Sequence, residues 1–466
     1  MARPKHRRPA LHRTLSEAPI PLEFQQLLFI DATDERHRLL EALSDQPPVS
    51  IRLNPAKPFD LDEEPVPWCG TGRYLKQRPS FTLDPLLHAG AYYVQEASSM
   101  LLEQAFLATG LNGPLLALDL CAAPGGKTTH LLSMLPPESL LIANETHPER
   151  RRVLMENCWK QGAPNVIISS SNAYDLASLT ETFDLILVDA PCSGEGMFRK
   201  DMHARAQWSP ALVQQCSRIQ SDLLRRAWDA LSPGGALVYS TCTWEAVENE
   251  ERVAELVRLG AECLPMQLSE AWGVERSTKL GVEAYRCYPH RVRGEGFFIA
   301  VLRKPGRLRA RSLAAPHDAR RENLSWLGGD VLMDLVEFEA TLHARPAAWA
   351  ALIDSIGRSL RITAPGVPFA ERKGDGWQPH PAAALSLALR RSALPVIELD
   401  MTEVIGYLRG ETLISERASG HALATYQGLA LGWLRGAGTR WNNRWPAAWR
   451  IRQRGNDGRP VPWSKE

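Results

Sequence analysis

The middle of the chain alternates short apolar runs with longer segments in which apolar residues recur three and four positions apart. The first pattern is typical of buried strands and the second of amphipathic helices, so their alternation predicts βαβ units in a parallel sheet. The predicted strands are Leu115–Leu120, Leu140–Asn144, Asn165–Ile168, Phe183–Val188, Gly235–Tyr239 and Gly296–Leu302, and the predicted helices are Thr128–Leu135, Arg150–Lys160 and Ala211–Leu231.

These elements predict an α/β fold with an open, doubly wound and mostly parallel sheet. Ligands of such sheets bind beyond the carboxyl ends of the strands. Residues 305–323 are rich in Pro, Gly, Arg and small residues and lack apolar periodicity, which is typical of a linker. We therefore expect an N-terminal domain over 1–88, the sheet domain over 89–304, a linker over 305–323 and a C-terminal region over 324–466.

Composition and charge narrow the class of protein. A chain of 466 residues with 44% hydrophobic residues is long enough for several domains, and its 54 basic and 53 acidic residues nearly balance. The basic stretch Met1–Arg13 is not followed by the apolar segment of a signal peptide, and no apolar run reaches the roughly 18 residues of a membrane span. The eight cysteines lack Cys-x-x-Cys pairs, which argues against a zinc site or a disulfide framework. We expect a cytoplasmic protein without a metal.

The segment LLALDLCAAPGGKTTHLL, residues 115–132, runs from a buried strand into a Pro-Gly-Gly turn and a helix. Its small residues allow backbone amides and a helix N-terminus to approach a ligand. A P-loop would require glycine where Cys121 stands, and the spacing of a dinucleotide-binding loop is broken by Pro124. The loop therefore indicates a ligand other than a nucleoside triphosphate or NAD, unless it is an ordinary turn.

An acidic residue follows the next predicted strand. Glu145 lies twenty residues past Gly125, where a carboxylate can accept hydrogen bonds from both ribose hydroxyls of a nucleoside cofactor. An exposed strand end is the alternative for Glu145 alone. The loop and the acid at this distance together favour a nucleoside site.

Two cysteines follow two later strands. In DLILVDAPCSGEGMFRKD a buried strand brings Asp189 and Cys192 to the carboxyl edge of the sheet, and ALVYSTCTW does the same for Cys242. Cys158 and Cys263 lie within helical or apolar patterns and are expected to pack in the interior.

A carboxyl group and two thiols beside a nucleoside site fit one reaction in particular. Carbon 5 of a pyrimidine becomes nucleophilic when a thiolate adds at carbon 6, and an acid must stabilise the charge that develops on the ring. Asp189 is the candidate acid, and a second thiol can help when the thioether is eliminated. This constellation indicates methylation of cytosine at carbon 5, but the residues alone leave open which thiol attacks.

Long strings of this sequence resemble the Sun-type family of RNA 5-methylcytosine methyltransferases. The strings are DLCAAPGGKT, LIANE, LVDAPCSGEGMFRKD, YSTCTW and GEGFFIAVLRK, in this order. GEGMFRKD, SIRLNPAK and AGAYYVQEASSM are similar to the bacterial ribosomal RNA methyltransferase F group. YLRGETL and ALGWLRGAG resemble the C-terminal PUA-like RNA-binding domain of that group.

The resemblance implies a Rossmann-like class I methyltransferase domain, S-adenosylmethionine as the cofactor and RNA as the substrate. It implies that Cys242 is the nucleophile, that Cys192 assists product release, and that Lys127 and Asp189 belong to the catalytic site. The implied cofactor site consists of Cys121, Ala122, Ala123, Pro124, Gly125, Gly126, Lys127, Glu145, Arg150, Asn172 and Asp189. Asn172 departs from the aspartate that many relatives carry, and Arg150 is equally compatible with an exposed helix start.

Arginines and tryptophans interleave between Arg435 and Trp463 with a single acid, Asp457. Arginine binds phosphates and tryptophan stacks on unpaired bases, which favours RNA binding. The alternative is that Trp441, Trp445 and Trp449 form the apolar face of a short amphipathic element. The expected RNA-binding residues are Arg435, Arg440, Trp441, Arg444 and Arg450, and the basic front end (Arg3, Lys5, Arg7, Arg8, Arg13) is either a phosphate-binding arm or a solvated tail.

Several other residues receive structural interpretations. His130 is expected at the surface or in packing, Tyr288–Arg291 is expected to shape a loop near the cleft, and Glu248, Glu250 and Glu251 are expected at an exposed helix start. The leading hypothesis is a monomeric ribosomal RNA methyltransferase that acts on the small subunit. Transfer RNA methylation and a noncatalytic RNA-binding assembly factor are the alternatives.

Overall fold

The computed structural model describes residues 19–27, 33–311, 313, 326–328, 332–374 and 376–452. Its N-terminal part contains the helices α1 (Leu22–Leu27), α2 (Thr33–Ala42) and α3 (Pro85–Ala89) and the strands β1 (Val49–Leu53), β2 (Gly72–Leu75) and β3 (Tyr92–Val94). β1 lies between β2 and β3 in a three-stranded antiparallel sheet. The predicted basic arm lies outside the described residues.

The central part is a large sheet with helices on both faces. Its elements are α4 (Leu102–Thr109), β4 (Leu116–Asp119), α5 (Gly126–Met134), β5 (Leu140–Asn144), α6 (Pro148–Gln161), β6 (Val166–Ser169), β7 (Phe183–Asp189), α7 (Met202–Gln207), α8 (Pro210–Ala230), β8 (Leu231–Thr241), α9 (Glu250–Arg258), β9 (Glu262–Cys263), β10 (Glu275–Ser277), β11 (Ala284–Cys287) and β12 (Phe297–Arg303). All six predicted strands and all three predicted helices are confirmed, with ends shifted by a few residues.

Five strands of this sheet are parallel, in the order β6-β5-β4-β7-β8. The chain winds outward from β4 through β5 and β6, and then returns to the other side of β4 with β7 and β8. The topological switch point therefore lies between β4 and β7, where doubly wound sheets bind ligands. β12, β11 and β10 continue the sheet beyond β8 with antiparallel pairing, and β9 also pairs with β12.

The two faces of the sheet are covered by different helices. Alternate residues of the parallel strands pack on each side, because successive side chains of a strand point to opposite faces. One cluster joins Ala117 and Leu141 to α5 and α6, and the other joins Leu118 and Ile142 to α8 and α9. Covering both faces explains why the strands of the sequence are almost continuously apolar.

The C-terminal part contains β13 (Met333–Phe338), β14 (Thr341–Pro346), α10 (Ala350–Ile356), β15 (Ile362–Ala364), β16 (Val367–Lys373), β17 (Gly376–Pro379), α11 (Pro381–Leu385), β18 (Val396–Glu398), α12 (Met401–Arg409), β19 (Leu413–Ala418), β20 (His421–Tyr426), β21 (Leu429–Gly436) and β22 (Gly438–Asn443). Four strands form a sheet in the order β13-β14-β16-β17. Five others form a sheet in the order β18-β20-β21-β22-β19.

The C-terminal part is not separate from the central sheet. β15 pairs antiparallel with β6, and Ile353 and Leu360 pack in the core of that sheet. Within the predicted linker, Arg311 contacts Asp184 at the start of β7. The division at residues 305–323 thus lies between segments that share a sheet, and the four-part division stays a prediction.

The two ends of the described chain also meet. Ile51 and Tyr92 of the N-terminal sheet share an apolar core with Tyr407 of α12, Leu431 of β21 and Trp445. The N-terminal part is therefore packed against the five-stranded sheet. None of the helices in the described ranges has the length and apolarity to span a bilayer.

Candidate active site

A cavity of about 750 Å³ opens at the carboxyl ends of β4, β7 and β8, at the switch point of the sheet. Predicted site residues from separate parts of the chain line this one cavity, namely Cys121, Ala122, Ala123, Pro124, Gly126, Lys127, Glu145, Arg150, Asp189, Cys192 and Cys242. The structure thus brings both thiols to the cavity that holds the Pro-Gly-Gly turn. Parallel strands that end at one edge explain this convergence.

The turn between β4 and α5 is compact. Gly125 has φ of 113°, a left-handed conformation that favours glycine, and a side chain at Gly126 would lie 3.2 Å from the ring of Tyr93. The Thr128 hydroxyl donates to Asp119 Oδ2 across the turn at 2.7 Å. The N-terminus of α5 therefore reaches the cavity with Gly126 and Lys127 at its wall.

Two acidic residues give the cavity acceptors for a polar ligand. Asp119 is fully buried, burial raises its pKa to about 7, and its Oδ1 has no hydrogen-bond partner among the described residues. Glu145 is 6% exposed and accepts from the His147 N–H at 2.8 Å. Arg150 closes this end by donating to the Ala123 carbonyl at 2.8 Å, with a second nitrogen 3.5 Å from Glu145 Oε2. The Glu145 carboxylate and the N-terminus of α5 at this cavity fit a cofactor with hydroxyl groups.

Asn172 occupies a different position from the one we expected. It is exposed and is not among the residues that line the cavity, whereas its neighbours Ser171 and Ala173 are. Its side chain accepts from the Tyr174 N–H and caps the 3₁₀ helix Ala173–Ser178, and Asp175 completes the capping box. The side chain is therefore held by local hydrogen bonds, and a cofactor contact of Asn172 stays a prediction.

A lysine and an aspartate form an ion pair at the centre of the cavity. Lys127 Nζ lies 2.8 Å from Asp189 Oδ2, and the other oxygen of Asp189 accepts from the Ser240 hydroxyl at 2.8 Å. Burial lowers the pKa of Lys127, but the adjacent carboxylate of Asp189 outweighs it, so the pKa is raised overall. The ammonium group is therefore held charged at the wall of the cavity.

The two thiols lie side by side. Cys192 Sγ is 3.1 Å from Cys242 Sγ, and the Cys242 N–H donates to Cys192 Sγ at 3.3 Å. The hydrogen bond with Cys242 and burial raise the pKa of Cys192 well above its usual value. Cys192 is therefore kept as a thiol, and the two sulfurs are close enough to act on the same atom of a substrate.

Comparison with known proteins identifies the family of this chain. The model of 16S rRNA methyltransferase RsmB/F matches residues 112–303, that of the N-terminal domain of 16S rRNA methyltransferase RsmF matches 20–97, and that of the methyltransferase RsmF PUA domain matches 394–451. Ribosomal RNA small subunit methyltransferase F of Serratia proteamaculans is 32% identical over 415 residues, with 83% of this chain and 85% of the relative covered. The chain belongs to the ribosomal RNA small subunit methyltransferase F family.

Other relatives and solved structures agree with this family. The methyltransferase F of Erwinia tasmaniensis is 32% identical over 475 residues and covers 92% of this chain and 95% of the relative. A methyltransferase homologue from Pyrococcus horikoshii is 30% identical with a TM-score of 0.50, over 60% of this chain and 92% of that chain. NSun6 from Pyrococcus horikoshii, at 21% identity, shares the fold with a TM-score of 0.52 over 62% of this chain and 99% of that chain.

One of our expectations for this methyltransferase F family member is wrong, because Glu248 and Glu250 are fully buried and not at an exposed helix start. Glu250 pairs with the guanidinium group of Arg286, and Glu248 accepts from Gln220 Nε2 at 2.7 Å. These partners lie 36 and 28 residues away in sequence, so the local pattern of acids did not reveal them. Glu251 does lie near the surface, with 44% of its side chain exposed.

Three potential metal ligands, from α4, from α5 and from the loop before β2, lie close together. His130 is fully buried, which agrees with packing and not with the surface, and its Nε2 lies 3.5 Å from Glu103 Oε2 and 3.8 Å from Cys69 Sγ. The ligand atoms of the three residues lie within 4.8 Å of one another. The cysteine spacing did not point to this cluster, and the expectation of a protein without a metal stays a prediction.

The other cysteines and the Tyr288 loop agree with their interpretations. Cys158 is 1% exposed in a core cluster, and Cys263 packs partly buried against another. Tyr288 is buried and stacks on Trp244, with ring centroids 5.8 Å apart, and His290 contacts Glu35 of α2 at 2.5 Å. The loop is thereby fixed between the N-terminal helices and the segment after Cys242.

The PUA region separates the predicted RNA-binding residues into two groups. Arg435, Arg440 and Arg450 are exposed and Arg444 is half-buried. Trp441 is 8% exposed and packs in the core of the five-stranded sheet, so this conformation leaves its ring little surface for base stacking, and that role stays a prediction. The three tryptophans are not on one helix, because Trp441 lies on β22 and Trp449 in the 3₁₀ helix Ala447–Trp449.

The cavity also contains residues that sequence reasoning missed. Tyr93, Lys200 and Phe297 line it, and Lys127 Nζ lies 5.1 Å from the centroid of the Phe297 ring. Lys200 stands in the string GEGMFRKD, eight residues after Cys192, so its position in that string was an available signal. Tyr93 comes from the N-terminal sheet and stands in the string AGAYYVQEASSM, which was the corresponding signal.

Proposed function

We propose that this protein transfers a methyl group from S-adenosylmethionine to carbon 5 of cytidine in small-subunit ribosomal RNA, through a covalent adduct between a cysteine and carbon 6. The observation that carries the proposal is the presence of two adjacent thiols and the Lys127–Asp189 pair in the cavity of the Pro-Gly-Gly turn. The fold of a methyltransferase family and relatives named for ribosomal RNA methylation support the reaction and the substrate.

The cofactor would be held at the end of the cavity formed by the turn and Glu145. S-adenosylmethionine supplies the methyl group when it is bound there. Glu145 would accept from the ribose hydroxyls, and Gly126 at the N-terminus of α5 would face the polar part of the cofactor. Arg150 keeps Glu145 and the turn together.

Carbon 5 of cytosine is activated by addition of a thiolate to carbon 6. The sulfur lone pair forms the new C–S bond, and the electrons of the double bond between carbons 5 and 6 move onto carbon 5. A donor must stabilise the negative charge that develops on the ring. Lys127 is the charged donor at this place, with Asp189 fixing its position. After transfer a base takes the proton from carbon 5, the electron pair of the C5–H bond restores the ring double bond, and the C–S bond breaks with its electron pair returning to the cysteine sulfur.

Cys242 is the better candidate for the attack. Cys192 has a pKa raised well above its usual value, so it is held as a thiol and is the weaker nucleophile of the two. Cys192, only 3.1 Å from that sulfur, is placed to assist elimination of the product. These roles agree with those that the Sun-type family implies.

The test is methyl transfer by the purified full-length protein. Tritiated S-adenosylmethionine is incubated with the protein and, separately, with naked ribosomal RNA, small-subunit particles and total transfer RNA, and bisulfite sequencing locates the product. We expect label at carbon 5 of cytidine in small-subunit RNA, lost in Cys242→Ala and retained in the control Cys263→Ala, whose side chain lies outside the cavity lining. Label in transfer RNA alone, or turnover by Cys242→Ala, would contradict the proposal.

A further inference from the structure

Two buried glutamates join the turns that carry the two thiols. Ser193 directly follows Cys192, and Thr243 directly follows Cys242. The Ser193 hydroxyl contacts Glu248 Oε1, lies 3.1 Å from Glu195 Oε1 and lies 3.0 Å from the Thr243 hydroxyl. The Thr243 hydroxyl lies 2.6 Å from Glu195 Oε2. Each thiol is thus followed by a residue of the same hydrogen-bond network.

Backbone and side-chain donors hold the two carboxyl groups of this network in place. Glu248 Oε2 accepts from the Ser193 N–H at 3.1 Å and from Gln220 Nε2 at 2.7 Å. Glu195 accepts from the Trp244 N–H at 2.6 Å and from Trp208 Nε1 at 2.8 Å. Both carboxyl groups are fully buried, so these protein groups replace water as their partners. The separation of the two thiol-bearing turns therefore depends on Glu195 and Glu248.

The hydrogens of the network can be counted. Four oxygen–oxygen contacts join the two hydroxyls and the two carboxyls, and each contact requires one hydrogen. Ser193 and Thr243 supply one hydrogen each. If both carboxyls were ionised, two of the four contacts would join oxygens with no hydrogen between them. One carboxyl proton supplies a third hydrogen, so only one contact is left without its own, either Ser193 to Thr243 at 3.0 Å or Ser193 to Glu195 at 3.1 Å.

The environment of the Glu195 and Glu248 carboxyl groups also favours a bound proton on the pair. Among the described residues neither Glu195 nor Glu248 forms an ion pair, and burial together with the charge of Glu195 raises the pKa of Glu248 to about 7. Burial also raises the pKa of Glu195. The titratable and charged groups of the surrounding elements that interact with the pair or its neighbours are Cys192, Cys216, Cys242, Tyr239, Glu245, Arg252 and Arg286.

We propose that Glu195 and Glu248 together hold one proton near neutral pH and that this protonated pair is a positioning device, which keeps the thiols of Cys192 and Cys242 in their reactive arrangement. The proposal rests on the proposed function for its kinetic consequence. When the proton is lost, a second buried negative charge faces Ser193, a contact between the two turns loses its hydrogen, and formation of a thiolate nearby is opposed. Turnover then falls as pH rises.

Substitution of Glu248 by glutamine tests this idea with little change of shape. The introduced amide oxygen accepts from the Ser193 N–H and from Gln220, and the amide nitrogen donates to the Ser193 hydroxyl. That hydroxyl is then free to donate to Glu195 Oε1. With Glu195 ionised, every hydrogen of the network then has an acceptor. Glu248→Gln therefore imitates the protonated pair at all pH values.

The experiment compares the pH dependence of single-turnover methyl transfer in wild type, Glu248→Gln, Glu248→Ala and the control Glu251→Gln. We expect the wild-type and control rates to fall with an apparent pKa near 7, the Glu248→Gln rate to lose this fall, and Glu248→Ala to be at least about tenfold slower at every pH. A fall in Glu248→Gln that matches wild type would overturn the proposal, as would equal rates for the glutamine and alanine variants.

A second measurement needs no RNA. The infrared difference spectrum of the wild type between pH 6 and pH 8.5 should contain the C=O stretching bands of protonated carboxyls, to which the buried Asp119 also contributes. One component of these bands should be lost in Glu248→Gln and kept in Glu251→Gln. Equal bands in the wild type and Glu248→Gln would overturn the shared proton. Because the spectrum does not depend on activity, a protein that shows this component but transfers no methyl group would contradict only the proposed function.

Discussion

The catalytic cavity and the arginine-rich end of the PUA region are both built from conspicuous residues, but they differ in how far sequence order determines position. In the cavity, Asp189, Cys192 and Cys242 follow strands of one parallel sheet, so the topology alone brings them together. In the PUA region, Trp441 and Arg440 are neighbours in sequence and lie in opposite environments, one buried and one exposed. Residue type indicates chemistry reliably only where the fold fixes the direction of the side chain.

The largest effect should come from the ion pair in the cavity. Lys127→Met keeps the length of the side chain but removes the cation beside Asp189 and the thiols. We expect the rate of single-turnover methyl transfer to fall about 10³-fold, equivalent to about 4 kcal/mol in the barrier. The control Arg276→Gln removes an exposed ion pair with Glu283 and should leave the rate unchanged. A loss of less than about threefold in Lys127→Met would exclude a direct role for the ammonium group.

The next largest effect is a loss of stability in the PUA region, which distinguishes a packing role of Trp441 from a role in RNA binding. Trp441→Ala removes a large side chain from the core of the five-stranded sheet and should lower the free energy of unfolding by about 3 kcal/mol. Denaturant unfolding measures the change, with the half-buried Trp377→Ala in the other C-terminal sheet as the control for a smaller loss. Unchanged stability in Trp441→Ala together with weaker RNA binding would restore Trp441 as a base-stacking residue.

The neighbouring arginine should behave in the opposite way. Arg440→Ala should leave the melting temperature unchanged and weaken binding of ribosomal RNA, and it should reduce the slope of log affinity against log salt by about one. Arg372→Ala, which removes an exposed arginine paired with Glu337, is the matched control. Equal RNA affinity and equal salt slopes in the two variants would place the RNA on another surface.

The smallest effect concerns Asn172, whose side chain caps a 3₁₀ helix beside the cavity. Aspartate caps a 3₁₀ helix as well as asparagine does, so Asn172→Asp should leave the melting temperature unchanged. Its affinity for S-adenosylmethionine should change by no more than about threefold. Asn172→Ala should lose the cap and lower stability by about 1 kcal/mol. Calorimetric titration that gives a tenfold change in affinity for Asn172→Asp would contradict this placement.

The central sheet and its site were predictable because their signals are local. Each predicted strand is a continuous apolar run, and the site residues stand directly after these runs, as Glu145 does after β5. Partners that come from distant segments could not be predicted from the sequence. The local pattern predicts Glu248 at the surface, but the fold brings Ser193 and Gln220 into contact with its carboxyl group. Similarly, β15 joins the central sheet from beyond the predicted linker.

The central claim is that the sulfur of Cys242 bonds to the pyrimidine and that the sulfur of Cys192 releases it. The most direct measurement is denaturing electrophoresis of each variant after incubation with ribosomal RNA and S-adenosylmethionine. Cys192→Ala should accumulate a protein–RNA adduct that survives denaturation, whereas Cys242→Ala should form none. An adduct in Cys242→Ala, or equal adducts in the two variants, would contradict the assignment of the two thiols.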